Sequence, residues 1–374
     1  MKKRLLPLLC ASALTLALTA CGAQQTTQTD IADAVALTFT DSGITAQDGT
    51  AGYEIDGTAL TITESGIYAV SGSCADGKIQ IKKGTTGVTL ILNGLDLTSG
   101  DSAAITCGKS GEVTILAADG TQNALSDTEQ NNDDNYPDNS DAENAVIKCK
   151  DGSAVTLGGT GALTVTANGK NGIKSGAATE EDGEASLTIR DLTLHIDAPV
   201  NDAINAEQLL NVESGTLTID AADDAIHCDL TLNIGADGTD GPTIDITSCY
   251  EGLEGAELNV LSGNITINAH GSHVQNIFGA SDSVVQGSVT VNATDVELKN
   301  SEYDTEYDEG YLFGLWQRVD PATANGPVTV TVNGGDVGLV MATDQTTVPA
   351  GSSINVTGKP KIRSGIRGTQ ASSY

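Results

Sequence analysis

The chain has 374 residues and is strongly acidic, with 50 Asp and Glu residues against 18 Lys and Arg residues and a formal net charge of −32. Such a charge excludes nucleic acid as an expected partner and disfavours anionic membrane surfaces, because both are bound mainly through Lys and Arg. Forty-three glycines with only three Phe and one Trp leave Val, Ile, Leu and Ala to fill the interior, which favours thin coils.

The N-terminal segment has the features of an export signal. Residues 1–20 join a basic start, "MKKR", to the apolar run "LLPLLCASALTLALTA". The next residue completes "LTAC", which resembles the bacterial lipobox and predicts Cys21 as the lipidated first residue of the mature protein. A secretion signal with a chance cysteine is the alternative. Residues 21–34 are a predicted polar tether. We expect an extracytoplasmic, lipid-anchored protein that contacts the membrane only through its N-terminal lipid.

Short motifs recur through the rest of the chain. Pieces such as "KNGIKS", "NDAINA", "DDAIHC" and "YEGLEG" each centre on an apolar residue, which we call the anchor. The anchors are spaced roughly two dozen residues apart: Ile147, Ile173, Ile204, Ile226, Leu253 and Ile277. Two positions after each anchor stands a small residue: Cys149, Ser175, Ala206, Cys228, Gly255 and Gly279. Equivalent residues of stacked coils lie about 4.8 Å apart, so we expect two ladders of side chains.

Between the anchors run short alternating segments, such as "GTLTIDA", "GNITINA" and "PVTVTVN", separated by Gly, Asn and Asp. Alternation of this kind predicts half-buried strands joined by turns. We predict an all-β protein, a right-handed parallel β-helix (solenoid) with inserted loops; a sandwich or a propeller explains one motif per coil less well. Residues 35–374 form one predicted domain: N-terminal coils (35–104), core coils (105–299), then an aromatic insertion and C-terminal coils (300–374).

Two insertions interrupt the repeat. Residues 126–144 are dense in Asp and Asn without an apolar period, which predicts either a solvated acidic loop or a calcium-ordered one, although no EF-hand pattern is present. Residues 300–321 concentrate the aromatic side chains Tyr303, Tyr307, Tyr311, Phe313 and Trp316. Such rings either stack against sugar rings or cover the exposed edges of the solenoid.

Five cysteines lie in the predicted domain: Cys74, Cys107, Cys149, Cys228 and Cys249. An odd number cannot all pair. Cys107 and Cys149 occupy the same ladder position, so the sequence leaves open a cross-coil disulfide or two small buried side chains.

The residue two positions before an anchor is often acidic. Asp202, Asp224 and Glu251 hold this position in successive repeats, and Asp223 lies beside the second of them. Stacked carboxylates about 4.8 Å apart repel by roughly 3 kcal/mol at an effective dielectric of 20. Oxygen ligands select a hard cation, so we predict calcium bound by Asp202, Asp223, Asp224 and Glu251. The alternative is that each Asp caps a turn by accepting backbone N–H groups.

The ordered succession "ITESGIYAVSGS", "VTLILNGLDLTSGDSAAI", an acidic loop, "GTGALTVTANGKNGIKS", "DAINA", "ADDAIHC" and "YEGLEGAELNVLSGNITI" resembles the bacterial, clostridial-type carbohydrate-binding-domain proteins. The resemblance implies a pectate-lyase-like β-helix that holds calcium and binds cellulose or acidic pectic polysaccharide. It places Asp202, Asp223, Asp224 and Glu251 at the acidic corners of that family. The chain departs from the family pattern with Ala203 and Ala225 where Gly is usual, and with Gln275 where an acid is expected.

We therefore predict a non-catalytic, calcium-stabilised polysaccharide-binding lipoprotein on the cell surface, with Tyr250, Tyr307, Tyr311 and Trp316 as sugar-binding residues. One alternative is a β-helix polysaccharide lyase or hydrolase. A lyase needs a basic residue near its calcium, and Arg190 is the candidate nearest the acidic corners in the sequence. The second alternative is a structural adhesin. The oligomeric state is not determined by the sequence.

Overall fold

The computed structural model describes residues 28–368, except 48, 237–239, 251, 271–272, 275–276, 282, 286–287, 299–310, 317–322, 325 and 344–349. The predicted signal at 1–20 and the predicted lipidation site Cys21 lie outside this part of the chain. Within it, no helix has the length and apolar character needed to cross a bilayer.

The described chain forms one short helix, α1 (Gln28–Asp33), and 34 strands. The strands up to the acidic loop are β1 (Val35–Thr40), β2 (Gly43–Ala46), β3 (Tyr53–Asp56), β4 (Ala59–Ile62), β5 (Gly66–Cys74), β6 (Lys78–Ile81), β7 (Val88–Ser99), β8 (Ile105–Cys107), β9 (Glu112–Ala117) and β10 (Gln122–Asp127). The core strands are β11 (Ala145–Cys149), β12 (Ala154–Gly158), β13 (Ala162–Thr166), β14 (Asn171–Ser175), β15 (Ser186–Ile189), β16 (Thr193–Ala198), β17 (Ile204–Ala206), β18 (Leu209–Val212), β19 (Thr216–Ala221), β20 (Ile226–Ile234), β21 (Thr243–Ser248) and β22 (Leu253–Val260). The remaining strands are β23 (Asn264–His270), β24 (His273–Val274), β25 (Ile277–Ser281), β26 (Ser283–Val285), β27 (Ser288–Thr294), β28 (Glu297–Leu298), β29 (Tyr311–Trp316), β30 (Thr323–Ala324), β31 (Val328–Asn333), β32 (Asp336–Thr343), β33 (Ser353–Thr357) and β34 (Lys361–Arg367).

Most strands of the larger sheet stack in three columns of parallel neighbours, whereas β1 with β2 and β3 with β4 pair antiparallel. An anchor column runs β4, β6, β8, β11, β14, β17, β20 and β22; a second column runs β7, β9, β12, β15, β18, β20, β22, β26 and β30; and a third runs β7, β10, β13, β16, β19, β21, β23, β27, β31 and β33. Within these columns each strand pairs with the equivalent strand of the next repeat, as in a chain wound into coils. The all-β prediction is confirmed, and the long parallel sheet agrees with the predicted β-helix.

The anchor ladder has the predicted register. Ile147 pairs with Ile173, Ile173 with Ile204, Ile204 with Ile226, and Ile226 with Leu253. The small residues pair in the same register, from Cys149 through Ser175, Ala206 and Cys228 to Gly255. Ile277 lies in a second, six-stranded sheet, where it pairs with Leu312. The four isoleucine anchors of the first sheet are fully buried, so the ladder forms the hydrophobic interior of the coils.

The loop between β10 and β11 is held by its own amide groups. Asn131, which is fully buried, donates from Nδ2 to Asp127 Oδ2 at 2.8 Å and to the Ala145 carbonyl at 2.9 Å. Its Oδ1 accepts the backbone N–H groups of Glu143 and Asn144. One asparagine therefore ties the loop to the coil, and the choice between a solvated acidic loop and a calcium-ordered one stays a prediction.

Candidate functional site

The candidate site lies where the chain turns into the anchor column. We call Asp202, Asp223, Asp224, His227 and Glu254 the acidic corner. Asp202 precedes β17, and Asp223 and Asp224 precede β20. Because Ile204 pairs with Ile226, these two turns stack on one edge of the coils, as the spacing of the anchors predicts.

Three of the predicted calcium ligands come together. Asp202, Asp223 and Asp224 each offer a carboxylate oxygen, and these oxygens lie within 4.8 Å of one another. Asp202 and Asp224 are buried, with 5% and 8% of their surface exposed, whereas Asp223 is exposed. The fourth predicted ligand, Glu251, lies outside the described residues. The group is open to solvent on the Asp223 side.

Asp202 also caps a turn. Its Oδ1 accepts the backbone N–H of Asp224 at 3.2 Å, and its Oδ2 accepts Asn205 Nδ2 at 2.6 Å. Capping and cation binding are compatible here, because a carboxylate offers about four lone-pair positions and these two bonds use only part of them.

A histidine at the corner was not singled out by the sequence. His227 Nδ1 lies 2.9 Å from Glu254 Oε2 and 3.2 Å from Asp224 Oδ2, and its Nε2 lies 2.7 Å from Asp229 Oδ1. These hydrogen bonds, led by that to Asp224, raise the pKa of His227 to about 10 against the opposing effect of burial. The imidazole is therefore a cation at neutral pH, shared among three carboxylates.

The contact between His227 and Glu254 could have been predicted from the residues that directly follow the anchors. Asn205, His227 and Glu254 all hold this position, and they pair in register across β17, β20 and β22. We call this set of positions the outward row, since it alternates with the buried anchors and small residues. Two members of opposite charge in adjacent repeats predict an ion pair.

The corner retains excess negative charge despite the histidine. Burial and then the charges of Asp202 and Glu254 raise the pKa of Asp223. Burial also raises the pKa of Asp224. The hydrogen bond to His227 lowers this pKa, and repulsion from Asp202, Asp223 and Glu254 raises it. Carboxylates in this state are stabilised by a divalent cation, and an all-oxygen set such as Asp202, Asp223 and Asp224 fits calcium.

The predicted sugar-binding residues fall in different surroundings. Tyr250 is 45% exposed, and its backbone N–H donates to the Asp223 carbonyl at 2.8 Å, so it borders the acidic corner. Tyr311 is half-buried and packs at 5.1 Å, centroid to centroid, against Phe313, on an apolar cluster that includes Leu339 and Met341. That packing supports the covering role for Tyr311.

The other aromatic residues of the insertion are not described in the same detail. Tyr303, Tyr307 and the side chain of Trp316 lie outside the described part, although the Trp316 backbone pairs with Ser281 in β25. The sequence predicts Tyr307 and Trp316 at a sugar site, and that prediction stands on the sequence alone.

The cysteines of the described domain are free thiols. Cys107 and Cys149 pair in register between β8 and β11, and both are fully buried. A hydrogen bond between the two thiols, and then burial, raise the pKa of the Cys107 thiol well above its usual range. In the structure Cys107 and Cys149 are therefore two small buried side chains of the ladder and not a cross-coil disulfide.

The lyase candidate Arg190 follows a strand of a different column from the acidic corner. It follows β15, which pairs with β12 and β18 in the second column, whereas the corner precedes the strands of the anchor column. Among the residues described, the ion pair of Asp224 is made with His227.

The stacked parallel strands define the class of this protein as an all-β repeat protein. The chain belongs to the family of carbohydrate-binding domain-containing proteins, whose sequence profile matches residues 56–368. A carbohydrate-binding domain-containing protein of Acetivibrio thermocellus is 37% identical over 108 residues, which are 28% of this chain and 35% of that protein. The match thus spans about a third of that relative.

One solved structure is similar in outline. A polysaccharide lyase-like protein from C. thermocellum, studied as a gadolinium derivative, aligns over 89% of this chain and 99% of its own, with 21% identity and a TM-score of 0.36. At this score the likeness carries no conclusion about the site.

Proposed function

We propose that the protein is a non-catalytic, calcium-stabilised lipoprotein that binds polysaccharide at the cell surface, as a right-handed parallel β-helix anchored through Cys21. Membership of the carbohydrate-binding family supports the binding of a polysaccharide, and cellulose or an acidic pectic polysaccharide is the expected class. The observation that carries the calcium part is the group of three carboxylates within 4.8 Å of one another.

The charge of the acidic corner supports a resident cation. Asp202, Asp223, Asp224 and Glu254 bring four carboxylates, and His227 supplies one positive charge. Calcium held by Asp202, Asp223 and Asp224 would supply the missing charge and fix the turns between coils. Glu251 is the further ligand that the sequence predicts.

Tyr250 gives the corner a surface for a sugar. The residue is 45% exposed, and exposed aromatic rings stack against the apolar faces of sugar rings. Its backbone hydrogen bond to the Asp223 carbonyl joins it to the turn that carries Asp223 and Asp224, from the adjacent turn of the next coil. A glycan on Tyr250 would therefore lie beside the acidic corner.

A binding screen tests the proposal. The full chain is applied to soluble and insoluble polysaccharides, including cellulose and pectin, in calcium and in chelator. We expect retention on at least one of them, without release of unsaturated or reducing ends. Sustained product formation would favour the lyase or hydrolase, and no retention on any polysaccharide would favour the adhesin.

The anchor has a separate test. Cys21→Ala in the full-length precursor, expressed in a bacterial host, is expected to move the protein from the membrane fraction to the soluble extracytoplasmic fraction. Labelling with a radioactive fatty acid should be lost at the same time. An unlabelled wild-type protein would contradict the lipoprotein proposal and favour an ordinary secretion signal.

A further inference from the structure

Basic residues are concentrated in one part of this acidic protein. Eight of the 18 Lys and Arg residues lie between positions 78 and 174: Lys78, Lys82, Lys83, Lys109, Lys148, Lys150, Lys170 and Lys174. Several of them belong to the anchor column or to the turns that follow its strands β6, β8 and β11. The anchor column therefore carries opposite charges on two stretches, lysines on its early coils and carboxylates on its later coils.

A surface groove lies among these lysines. Its volume is about 410 Å³, and its lining combines four lysines with small and polar residues: Thr61, Gln80, Ile81, Lys82, Lys83, Thr106, Gly108, Lys109 and Lys150. No Asp or Glu is part of this lining. In a chain with 50 acidic residues, a groove whose only charged lining residues are lysines favours an anionic ligand. We call it the lysine groove.

Three of the four lysines are paired with acids that are not part of the lining. Lys83 Nζ lies 2.9 Å from Asp182 Oδ1, Lys109 Nζ lies 2.8 Å from Asp151 Oδ2 and 3.3 Å from Asp182 Oδ2, and Lys150 Nζ lies 2.5 Å from Glu143 Oε1. These pairs hold the three ammonium groups in place. Each ammonium has three donors, so Lys150 keeps donors for a further acceptor.

Lys82 is the freest of the four. Its side chain is exposed, and it has no ion pair among the residues that the structure describes. Its full charge is available at the wall of the groove. A ligand that gains this contact does not displace an existing carboxylate.

A buried hydroxyl without a partner belongs to a residue that lines the groove. Thr106 belongs to the outward row, between Gln80 and Lys148. Only 5% of its surface is exposed, and its Oγ1 makes no hydrogen bond within the described structure. A buried hydroxyl without a partner is costly, and Thr106 lines the groove. The hydroxyl is therefore positioned to donate to a group that enters from outside.

We propose that the lysine groove binds an oxyanion carried on a sugar, a carboxylate or a sulfate group, through Lys82, Lys150 and the Thr106 hydroxyl. The inference rests on the proposed function, since it assumes that the ligand is a polysaccharide. It adds a second contact region, on the early coils of the anchor column, that recognises negative charge directly. Binding there needs no calcium, in contrast to binding at the acidic corner.

The test measures binding to three polymers in chelator: polygalacturonate, dextran sulfate and uncharged dextran. Wild-type full-length protein is expected to bind at least one of the two anionic polymers and to bind it less tightly as salt rises. The two anionic polymers distinguish a carboxylate from a sulfate ligand. Uncharged dextran measures any binding that does not involve the anion.

Two variants and one control locate the site. Lys82→Gln and Thr106→Val should each raise the dissociation constant for the anionic polymer about three- to tenfold. Thr106→Val should leave the melting temperature equal or higher, because it removes a buried hydroxyl without a partner. Lys359→Gln makes the same change of charge at an exposed lysine of the C-terminal coils and should leave binding unchanged.

Two results would overturn the lysine groove. The first is wild-type protein that binds neither anionic polymer in chelator. The second is wild-type affinity in both Lys82→Gln and Thr106→Val. If a neutral polysaccharide of the earlier screen is still retained in either case, the proposed function stands and only the groove fails. If no polysaccharide is retained, both fail.

Discussion

Replacing Asp224 by asparagine removes one charge from the acidic corner with almost no change in size. Repulsion from Asp202 and Asp223, whose oxygens lie within 4.8 Å, is relieved by roughly 3 kcal/mol for each bare pair at an effective dielectric of 20. The attraction between Asp224 Oδ2 and His227 Nδ1, 3.2 Å apart, is lost and costs a comparable amount. Solvent screens both effects, so without calcium we expect a net change of stability within about 1 kcal/mol.

With calcium present the same substitution has a definite sign. A cation that binds only the folded protein stabilises it by about 2.7 kcal/mol when its free concentration is a hundred times the dissociation constant. Asp224→Asn removes one of the proposed ligands. If calcium affinity falls tenfold, about 1.4 kcal/mol of that stabilisation is lost. The variant should therefore be less stable than wild type in calcium and nearly equal to it in chelator.

The assay is thermal unfolding of the full chain in calcium and in EGTA, read by circular dichroism. Asp229→Asn is the matched control, because Asp229 contacts the opposite nitrogen of His227 at 2.7 Å and is more exposed. It should keep the wild-type response to calcium. The calcium proposal is refuted if wild-type melting does not respond to calcium and Asp224→Asn destabilises equally in both buffers; Asp224 is then only a structural residue of the turn.

Three further predictions follow from the described contacts. Burial raises the pKa of Asp127 to about 6, so the folded protein holds the proton on this carboxyl more tightly than the unfolded chain does. The free energy of unfolding therefore falls by about 3 kcal/mol as the pH rises from about 4 to 6 and Asp127 loses its proton. Chemical unfolding should show the stability of wild type relative to Asp127→Asn falling over that range, and a constant difference would contradict the burial argument. Tyr311→Ala should lower the melting temperature, at a cost of about 2 kcal/mol for a half-buried ring, while Tyr250→Ala should leave it nearly unchanged and weaken glycan retention; the reverse pattern would make Tyr311 the platform. Cys107 and Cys149 should react with a thiol reagent only at the rate of unfolding, because both are fully buried; fast reaction of the folded protein would show that the ladder opens.

The repeat by itself determined the stacking of this protein. The anchors recur with an apolar residue followed two positions later by a small one, and the period of a strand is two, so both residues face the same side. The sequence alone therefore aligns Ile173, Ile204 and Ile226, and they pair as expected. The same alignment predicts Asp202 and Asp224 on one edge, because each lies two residues before its anchor and the two anchors pair with each other.

Only the tertiary structure decided which side chains meet at that edge. His227 bonds to Asp224, Glu254 and Asp229, and the rotamer of one imidazole selects these partners within a register that the sequence supplies. The contact between Lys109 and Asp182 joins residues 73 positions apart, across turns of unequal length. Strand pairing repeats with the sequence because it follows backbone hydrogen bonds. Turn geometry does not repeat, and the lysine groove and the cation group both depend on it.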